Sequence, residues 1–374
     1  MYNFKQKLEK YFPEKIVNTL KDIGKIAKKL NMKVYLVGGI VRDIIMQREN
    51  LDIDIIVEGD AIKLAKEFAK KKKGKFNKFE EFMTAQVKVG NIKFDFATAR
   101  KEIYEYPGAY PKVQKSNLKE DLYRRDFTIN TLAINLTQDN FGILIDYFNS
   151  LQDIKNGKIR ILHQLSFIED PIRIFRALRF SGRFNFSLGK TTEKLLKIAI
   201  DQNLIKAAAP GRLNLELNLT FNEEKVVEIL NLMYKYKVLN QIIPYFEMTE
   251  ERLIILEKIR DYYIFLTSQL NFKVNKSSVY LLSLMYHLPV ESSISILKKL
   301  HFEEAIKIFE EFFKIKNKIN TGIKNSILYK ILKEIKPETT LFLISYLPSE
   351  ISQKILEVLN KSKERIITGK DLIN

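Results

Sequence analysis

The stretch Leu36–Val57, LVGGIVRDIIMQRENLDIDIIV, constrains the fold more than any other part of the chain. The paired glycines Gly38 and Gly39 follow a short apolar run and open a short helical segment. A strand with carboxylates at i and i+2 comes next. Strand side chains alternate faces, so Asp52 and Asp54 are expected on one face and Ile53 and Ile55 on the other. Like charges that close repel, and Asp is a poor strand former. A divalent cation between them removes both penalties, and Mg²⁺ typically takes one or two carboxylates together with substrate phosphates. A lone DxD reads more simply as an ordinary half-exposed strand. Here it stands at a fixed distance from Gly38, Gly39 and Arg42. Glycines let backbone approach phosphates, a helix N-terminus favours anions, and Arg42 offers a guanidinium to a triphosphate. The combination predicts a nucleotidyl-transfer site.

The net charge of +18 favours a polyanionic partner. A membrane is not expected, because no apolar run reaches about 18 residues and nothing resembles a signal peptide. The absence of Cys excludes disulfides and thiolate metal sites and fits a cytoplasmic protein. His163, His287 and His301 are scattered and none precedes Asp, which argues against a His-Asp metal phosphohydrolase. None of the three is assigned a role.

Along the first ~160 residues helix and strand patterns mix. Lys15–Leu30 and Ala61–Lys72 have helical spacing, and Val34–Val37 reads as the strand that enters the glycine turn. Ala85–Val89 and Ile92–Ala97 alternate as two strands joined by Gly90-Asn91. Asp95 on the second strand either adds a third carboxylate to the metal site or is an ordinary surface Asp. Arg100–Lys119, with Pro107, Gly108 and Pro111, reads as a long mobile loop. Leu144–Tyr147 and Lys158–Leu162 read as short closing strands. Beyond His163 helical periodicity dominates, punctuated by Pro210-Gly211, Pro244 and Pro289.

Two further constellations carry chemistry. In Asp121–Asn135, DLYRRDFTINTLAIN, Arg124, Arg125 and Asp126 stand before an apolar run. The carboxylate suits ribose hydroxyls and the arginines suit phosphates, or else Asp126 merely caps a helix. In Glu169–Arg183, EDPIRIFRALRFSGR, Asp170 and Pro171 mark a helix start. Arg173, Arg176 and Arg179 recur at i+3 on one face, either as a solvated stripe or as a reader of bases. A carboxylate acceptor beside a guanidinium donor matches the Watson–Crick edges of C and A and rejects G and U.

The GG–DxD segment resembles the signature of polymerase-beta-like nucleotidyltransferases. RRDFTIN is similar to the RRDFTINA motif of class II tRNA nucleotidyltransferases and bacterial poly(A) polymerases, with Thr131 where Ala is usual. Asp170 and Arg173 resemble the EDxxR element by which class II CCA-adding enzymes select CTP and ATP without a template. Arg212 and Glu216 in PGRLNLEL resemble a structural element of the neck, apart from Pro210-Gly211. The resemblance covers roughly residues 30 to 235.

It implies an α+β fold, with a polymerase-beta-like head of mixed sheet and flanking helices followed by an all-helical neck, body and tail. The expected boundaries are 1–162 for the head, 163–222 for the neck with its nucleotide-selecting helix, and 223–374 for a tRNA-binding body and tail. By the resemblance Asp52 and Asp54 are catalytic and hold Mg²⁺; Asp95, from its place on the strand, is the third catalytic carboxylate expected. Gly38, Gly39 and Arg42 cradle the triphosphate, and Arg125 and Asp126 face ribose and phosphate. Asp170 and Arg173 read the base, and Arg176 and Arg179 contact the nucleotide. The basic body grips the acceptor–T arm of tRNA by shape. SFIEDPIRIFRALRF and an intact 100–119 segment resemble A-adding enzymes, which use ATP beside a separate CC-adding enzyme. Complete CCA addition with CTP and ATP, and bacterial poly(A) polymerase activity, are the alternatives. Helical tails of the family are expected to run past ITGKDLIN. A non-catalytic RNA-binding relative predicts degraded carboxylates, which are intact here, and a small-molecule nucleotidyltransferase needs no extended cationic surface.

Overall fold

The computed structural model describes residues 3–106, 108–109 and 111–364; Pro107 and the ITGKDLIN tail lie outside them. The chain divides into two compact units, Met1–Ala207 and Ala208–Asn374. The first is a mixed sheet with flanking helices, and the second is built of helices, with no strand among its described residues.

The strands of the first unit are β1 (Lys33–Val37), β2 (Ile53–Glu58), β3 (Lys75–Phe79), β4 (Thr84–Val89), β5 (Ile92–Thr98), β6 (Arg100–Ile103), β7 (Lys112–Lys115), β8 (Ala133–Asn135) and β9 (Leu144–Ile145), followed by β10 (Lys158–Ile159) and β11 (Ser187–Leu188). The main sheet runs β3-β4-β5-β2-β1-β8-β9. Its pairings are antiparallel except β2 with β5, which run parallel with Asp54 beside Asp95. Like β6, β7, β8 and β11, β3 is a strand the sequence does not announce. It is an edge strand, mostly exposed, without the apolar alternation that marks a buried face.

One sheet face is covered by the helices Glu14–Lys29 and Ala61–Lys72, whose apolar residues fall at three- and four-residue spacing. Phe68 packs edge-on against Phe94 of β5 at 5.3 Å between ring centres. Gly24 lets the first helix lie directly on backbone: a Cβ there would sit 1.9 Å from the Leu136 carbonyl oxygen. On the other face Tyr35, Val37 and Ile56 pack with Leu118 and Leu122 of the helix Leu118–Tyr123. Asp54 and Ile56 are two residues apart on β2, so Asp54 opens on this second face, ahead of that cluster.

Two expectations are corrected. Asp52 is not in the strand: antiparallel pairing ends at Leu36 with Ile55, where β1 runs into the glycine turn, and parallel pairing begins at Ile53 with Phe94. Neither neighbour offers Asp52 a partner, and it stands exposed just ahead of β2. Arg100–Lys119 is not an irregular loop but the β6–β7 hairpin, paired from Arg100 with Lys115 to Ile103 with Lys112 and followed by the start of the helix Leu118–Tyr123. Of the turn-forming residues that suggest a loop, Gly108 and Pro111 lie between the two paired strands, and Pro107 lies outside the described residues.

The second unit contains nine α-helices among its described residues, from Pro210–Phe221 to Ser349–Glu364. Pro210 occupies the first turn of its helix and Pro289 precedes Val290–Lys299, positions where a missing N–H costs no intrahelical bond. Aromatic contacts knit its core, with Phe221 stacked on Tyr280 and Phe312 against Phe342 at 4.6 Å. No helix among the described residues is long and apolar enough to cross a membrane.

Candidate active site

The glycine turn brings the first charges together. Gly38 has a φ of +79°, in the region that favours glycine, and a Cβ there would lie 2.7 Å from Arg125 Nη1 and 3.9 Å from Asp54 Oδ2. The missing side chain therefore lets the Arg125 guanidinium and the Asp54 carboxylate converge over the turn. Asp54 and Asp95 line a cavity of about 290 Å³ with Arg124, Arg125, Phe79 and Thr84.

The two carboxylates have different surroundings. Asp95 is partnered by Lys93 Nζ at 2.8 Å and by Gln86 Nε2 at 2.9 Å. Asp54 has no such partner: burial pushes its carboxyl up to about 6, Arg125 opposes the shift, and the charges of Asp95 and Asp52 add to it. Crowded hard oxygen donors of this kind fit Mg²⁺. Among the described residues no three His, Cys, Asp or Glu side chains form a ready-made metal cluster, so Asp95 does not complete a three-carboxylate cage. The donor set fits an ion that also takes ligands from substrate phosphates.

Arg125 is held loosely. Its Nη2 reaches Asp121 Oδ2 at 3.3 Å and its Nη1 reaches the Asn130 carbonyl at 3.4 Å, while its buried Nε has no hydrogen-bond partner. Arg124 is anchored more firmly, donating to Glu102 Oε1 and to Asp121 Oδ1, each at 2.8 Å. Asp121, fully buried, thus carries both arginines, a role the sequence reading left unassigned. Its i+3 and i+4 spacing to them on the helix Leu118–Tyr123 was the available signal.

Arg42, expected at the triphosphate, is held by the protein itself. It turns inward and is buried, donating from Nε and Nη2 to Asp43 at 2.8 and 3.0 Å and from Nη1 to Asn130 at 2.6 Å. Its guanidinium lies over the Phe184 ring at 4.5 Å. The apolar helix Gly39–Met46 buries this face, so Arg42 braces the turn from behind and does not line the cavity. Gly39 begins that helix with its N-terminal backbone toward the turn.

Asp126 is likewise engaged inside the fold. Its Oδ2 accepts from Arg176 Nε at 2.9 Å and Nη2 at 2.6 Å, and its Oδ1 accepts from Asn130 Nδ2 at 2.9 Å. Burial alone would raise its pKa, but Arg176, the Asn130 amide and Arg173 hold the carboxyl down at about 2.

The helix Ile172–Phe184 is buried on both faces, which removes the solvated-stripe reading: Arg173 and Arg179 are each 4% exposed. Asp170 Oδ1 accepts from the Ile172 N–H at 3.2 Å, while Pro171 holds the N-cap position of the helix. Arg173 Nε lies 3.7 Å from Asp170 Oδ2, while its Nη1 donates to Ser166 Oγ and its Nη2 to the Arg124 carbonyl. Arg179 lies over the Phe180 ring at 4.7 Å. The hairpin tip reaches the same region, with the Gly108 N–H donating to the Glu169 carbonyl at 3.2 Å. The structure thus brings Asp170, Arg173 and the RRD segment together, and joins Asp126 to Arg176.

Residues 34–160 match the family described as the poly A polymerase head domain. An A-adding tRNA nucleotidyltransferase of Aquifex aeolicus is 43% identical over 343 residues, 89% of this chain and 41% of that protein. A solved tRNA nucleotidyltransferase complexed with a primer tRNA and an incoming ATP analogue is 39% identical, with a TM-score of 0.78 over 91% of this chain and 98% of that one. A Thermotoga maritima CCA-adding enzyme complexed with tRNA-CCA is 31% identical, with a TM-score of 0.79 over all of this chain and 89% of that one. The chain spans less than half the length of the curated relatives it matches first. With the GG turn, the strand carboxylates and the RRD and EDxxR elements in one unit, this chain belongs to the tRNA nucleotidyltransferase and poly(A) polymerase family.

Proposed function

We propose that this protein adds the terminal AMP to the 3′ end of tRNA from ATP, without a template and with release of pyrophosphate. The observation that carries the reading is the convergence of Asp54, Asp95 and Arg125 over Gly38, in a chain 43% identical to an A-adding relative. The tRNA 3′-hydroxyl attacks the α-phosphorus in line; the new O–P bond forms as the bond to pyrophosphate breaks. Catalysis is then largely positioning and charge stabilisation. Arg125, loosely held and lining the cavity, meets the triphosphate, and the backbone of Gly38 and Gly39 lets phosphates approach. Asp52 and Asp54 would hold Mg²⁺, with Asp95 beside them. When bound, Mg²⁺ neutralises phosphate charge and lowers the pKa of the attacking hydroxyl. Asp126 and Arg176 fix the ribose side of the site through their mutual pair. Asp170 and Arg173 select the base once the Arg173 hydrogen bonds to Ser166 Oγ and the Arg124 carbonyl are exchanged for the base edge.

In this reading residues 1–162 are the catalytic head, 163–222 the neck, and 223–374 the body that takes the acceptor–T arm. The protein works in the cytoplasm, beside a separate CC-adding enzyme. Complete CCA addition is the second reading, favoured by a CCA-adding structure at a TM-score of 0.86 and 32% identity over the whole of this chain. The test offers purified protein three tRNAs, lacking CCA, CA or A, with labelled CTP or ATP. Incorporation of ATP only, onto the tRNA lacking A, is expected. Labelling of the CCA-less tRNA with CTP overturns A-specificity, and runaway A addition marks a poly(A) polymerase. Binding of tRNA should weaken steeply with salt, because phosphate contacts release counterions; a flat dependence rules the binding mode out.

A further inference from the structure

Asp52 is the carboxylate that the sheet does not fix. It precedes β2, is exposed, and lies beyond the last pairing on either side. The segment that delivers it is irregular, leaving the helix Gly39–Met46 through a left-handed Gln47 at a φ of 53°. A metal ligand on such a segment needs another source of order, because outer contacts set ligand orientation.

That order comes from Asn50. Its Oδ1 accepts from the Asp52 N–H at 2.8 Å, the two-residue Asx arrangement, while its Nδ2 donates to Asp43 Oδ2 at 2.7 Å. Asp43 is buried and receives Arg42 on both oxygens. Arg42 continues to Asn130, Asn130 to Asp126, and Asp126 to Arg176. One continuous hydrogen-bonded chain therefore runs from the Asp52 backbone to the helix Ile172–Phe184. Tyr11 clamps the same segment from outside, its hydroxyl reaching the Arg48 carbonyl at 2.6 Å and the Asn50 carbonyl at 3.2 Å.

We propose that Asn50 is a positioning residue for Asp52: its amide sets where the first metal carboxylate stands, anchored through Asp43 and Arg42 to the helix that carries Arg176. This rests on the function proposed above. Asn50 acts through Asp52, so its removal should weaken the metal site while leaving tRNA affinity unchanged.

The test uses the full chain with Asn50→Ala, Asn50→Ser and Tyr11→Phe. Stabilisation by a non-hydrolysable ATP analogue is followed by thermal shift across a Mg²⁺ titration, and amide exchange is read at Asp52. Asn50→Ala should raise the Mg²⁺ needed for half-maximal stabilisation about tenfold and speed exchange at the Asp52 amide. Asn50→Ser keeps an acceptor two residues before Asp52 and should restore most of both, and Tyr11→Phe should shift both in the same direction by less. In turnover, Asn50→Ala should lower kcat with the KM for tRNA unchanged. An unaltered Mg²⁺ requirement in Asn50→Ala overturns the proposal, even if its melting temperature falls, because a purely structural Asn would do that. Unaltered Asp52 exchange overturns it as well. If Asn50→Ala does not fold, the Ser and Tyr11 variants decide by the same two measurements. A wild-type protein without Mg²⁺-dependent stabilisation defeats the functional reading itself, an outcome distinct from a wild-type response that Asn50→Ala leaves intact.

Discussion

Asp54 and Asp126 are both carboxylates near arginines in the same unit, yet their surroundings push them in opposite directions. Asp54 faces a cavity beside Asp95, with Arg125 too loosely held to neutralise it, and its carboxyl rises to about 6. Asp126 is clasped by Arg176 and Asn130 and falls to about 2. The first is left electrostatically unsatisfied by the fold, and the second is satisfied by it. Unsatisfied charge at a cavity marks where a ligand completes the site, whereas a satisfied buried pair marks scaffold.

The contrast can be broken most forcefully at Asp54. Asp54→Asn should cut nucleotide incorporation by on the order of a thousandfold, measured with labelled ATP and tRNA, while stability holds or rises because charge crowding is relieved. A loss of stability would place Asp54 with Asp126. Asp126→Ala should cost about 3 kcal/mol of stability in urea unfolding, since the two hydrogen bonds that buried Asp126 accepts from Arg176 and the one from Asn130 are lost.

The pH dependences should diverge too. For Asp126 the folded value lies below the ordinary 3.8, so its contribution, roughly 2 kcal/mol, is present above pH about 4 and lost as pH falls toward 2. For Asp54 the folded value lies above 3.8, so the folded state binds the extra proton and this group's contribution to stability declines as pH rises from about 4 to about 6. Activity should run the other way, rising through pH 6 as Asp54 ionises. The smallest expected effect is that of Lys93→Ala. The pair it makes with Asp95 is half exposed and contributes under about 1 kcal/mol, but Lys93 also favours ionised Asp54. Its loss should move the midpoint of the activity profile upward with little change in stability.

Local pattern carried much of the head. The helix Glu14–Lys29 and the β4–β5 hairpin differ from their sequence-based bounds by a residue or so, because apolar spacing and a Gly-Asn turn are local signals. In the 100–119 segment Gly108 and Pro111 look like loop formers although they lie between paired strands. Residue chemistry and the resemblance both point Arg42 at the triphosphate, and its burial against Asp43 and Phe184 cannot be seen from composition.

The sequence by itself determined the family, through residue types at fixed spacing in the GG–DxD, RRDFTIN and EDxxR segments, together with the alternation that places Asp54 opposite Ile55. Only the tertiary structure decided which charges face the cavity and which brace one another. That division depends on contacts between residues far apart in the chain, Asp54 with Asp95, Arg125 with Gly38 and Asp126 with Arg176. Burial and pairing across such distances, not residue identity, set whether a carboxylate is left open to a ligand or closed into the scaffold.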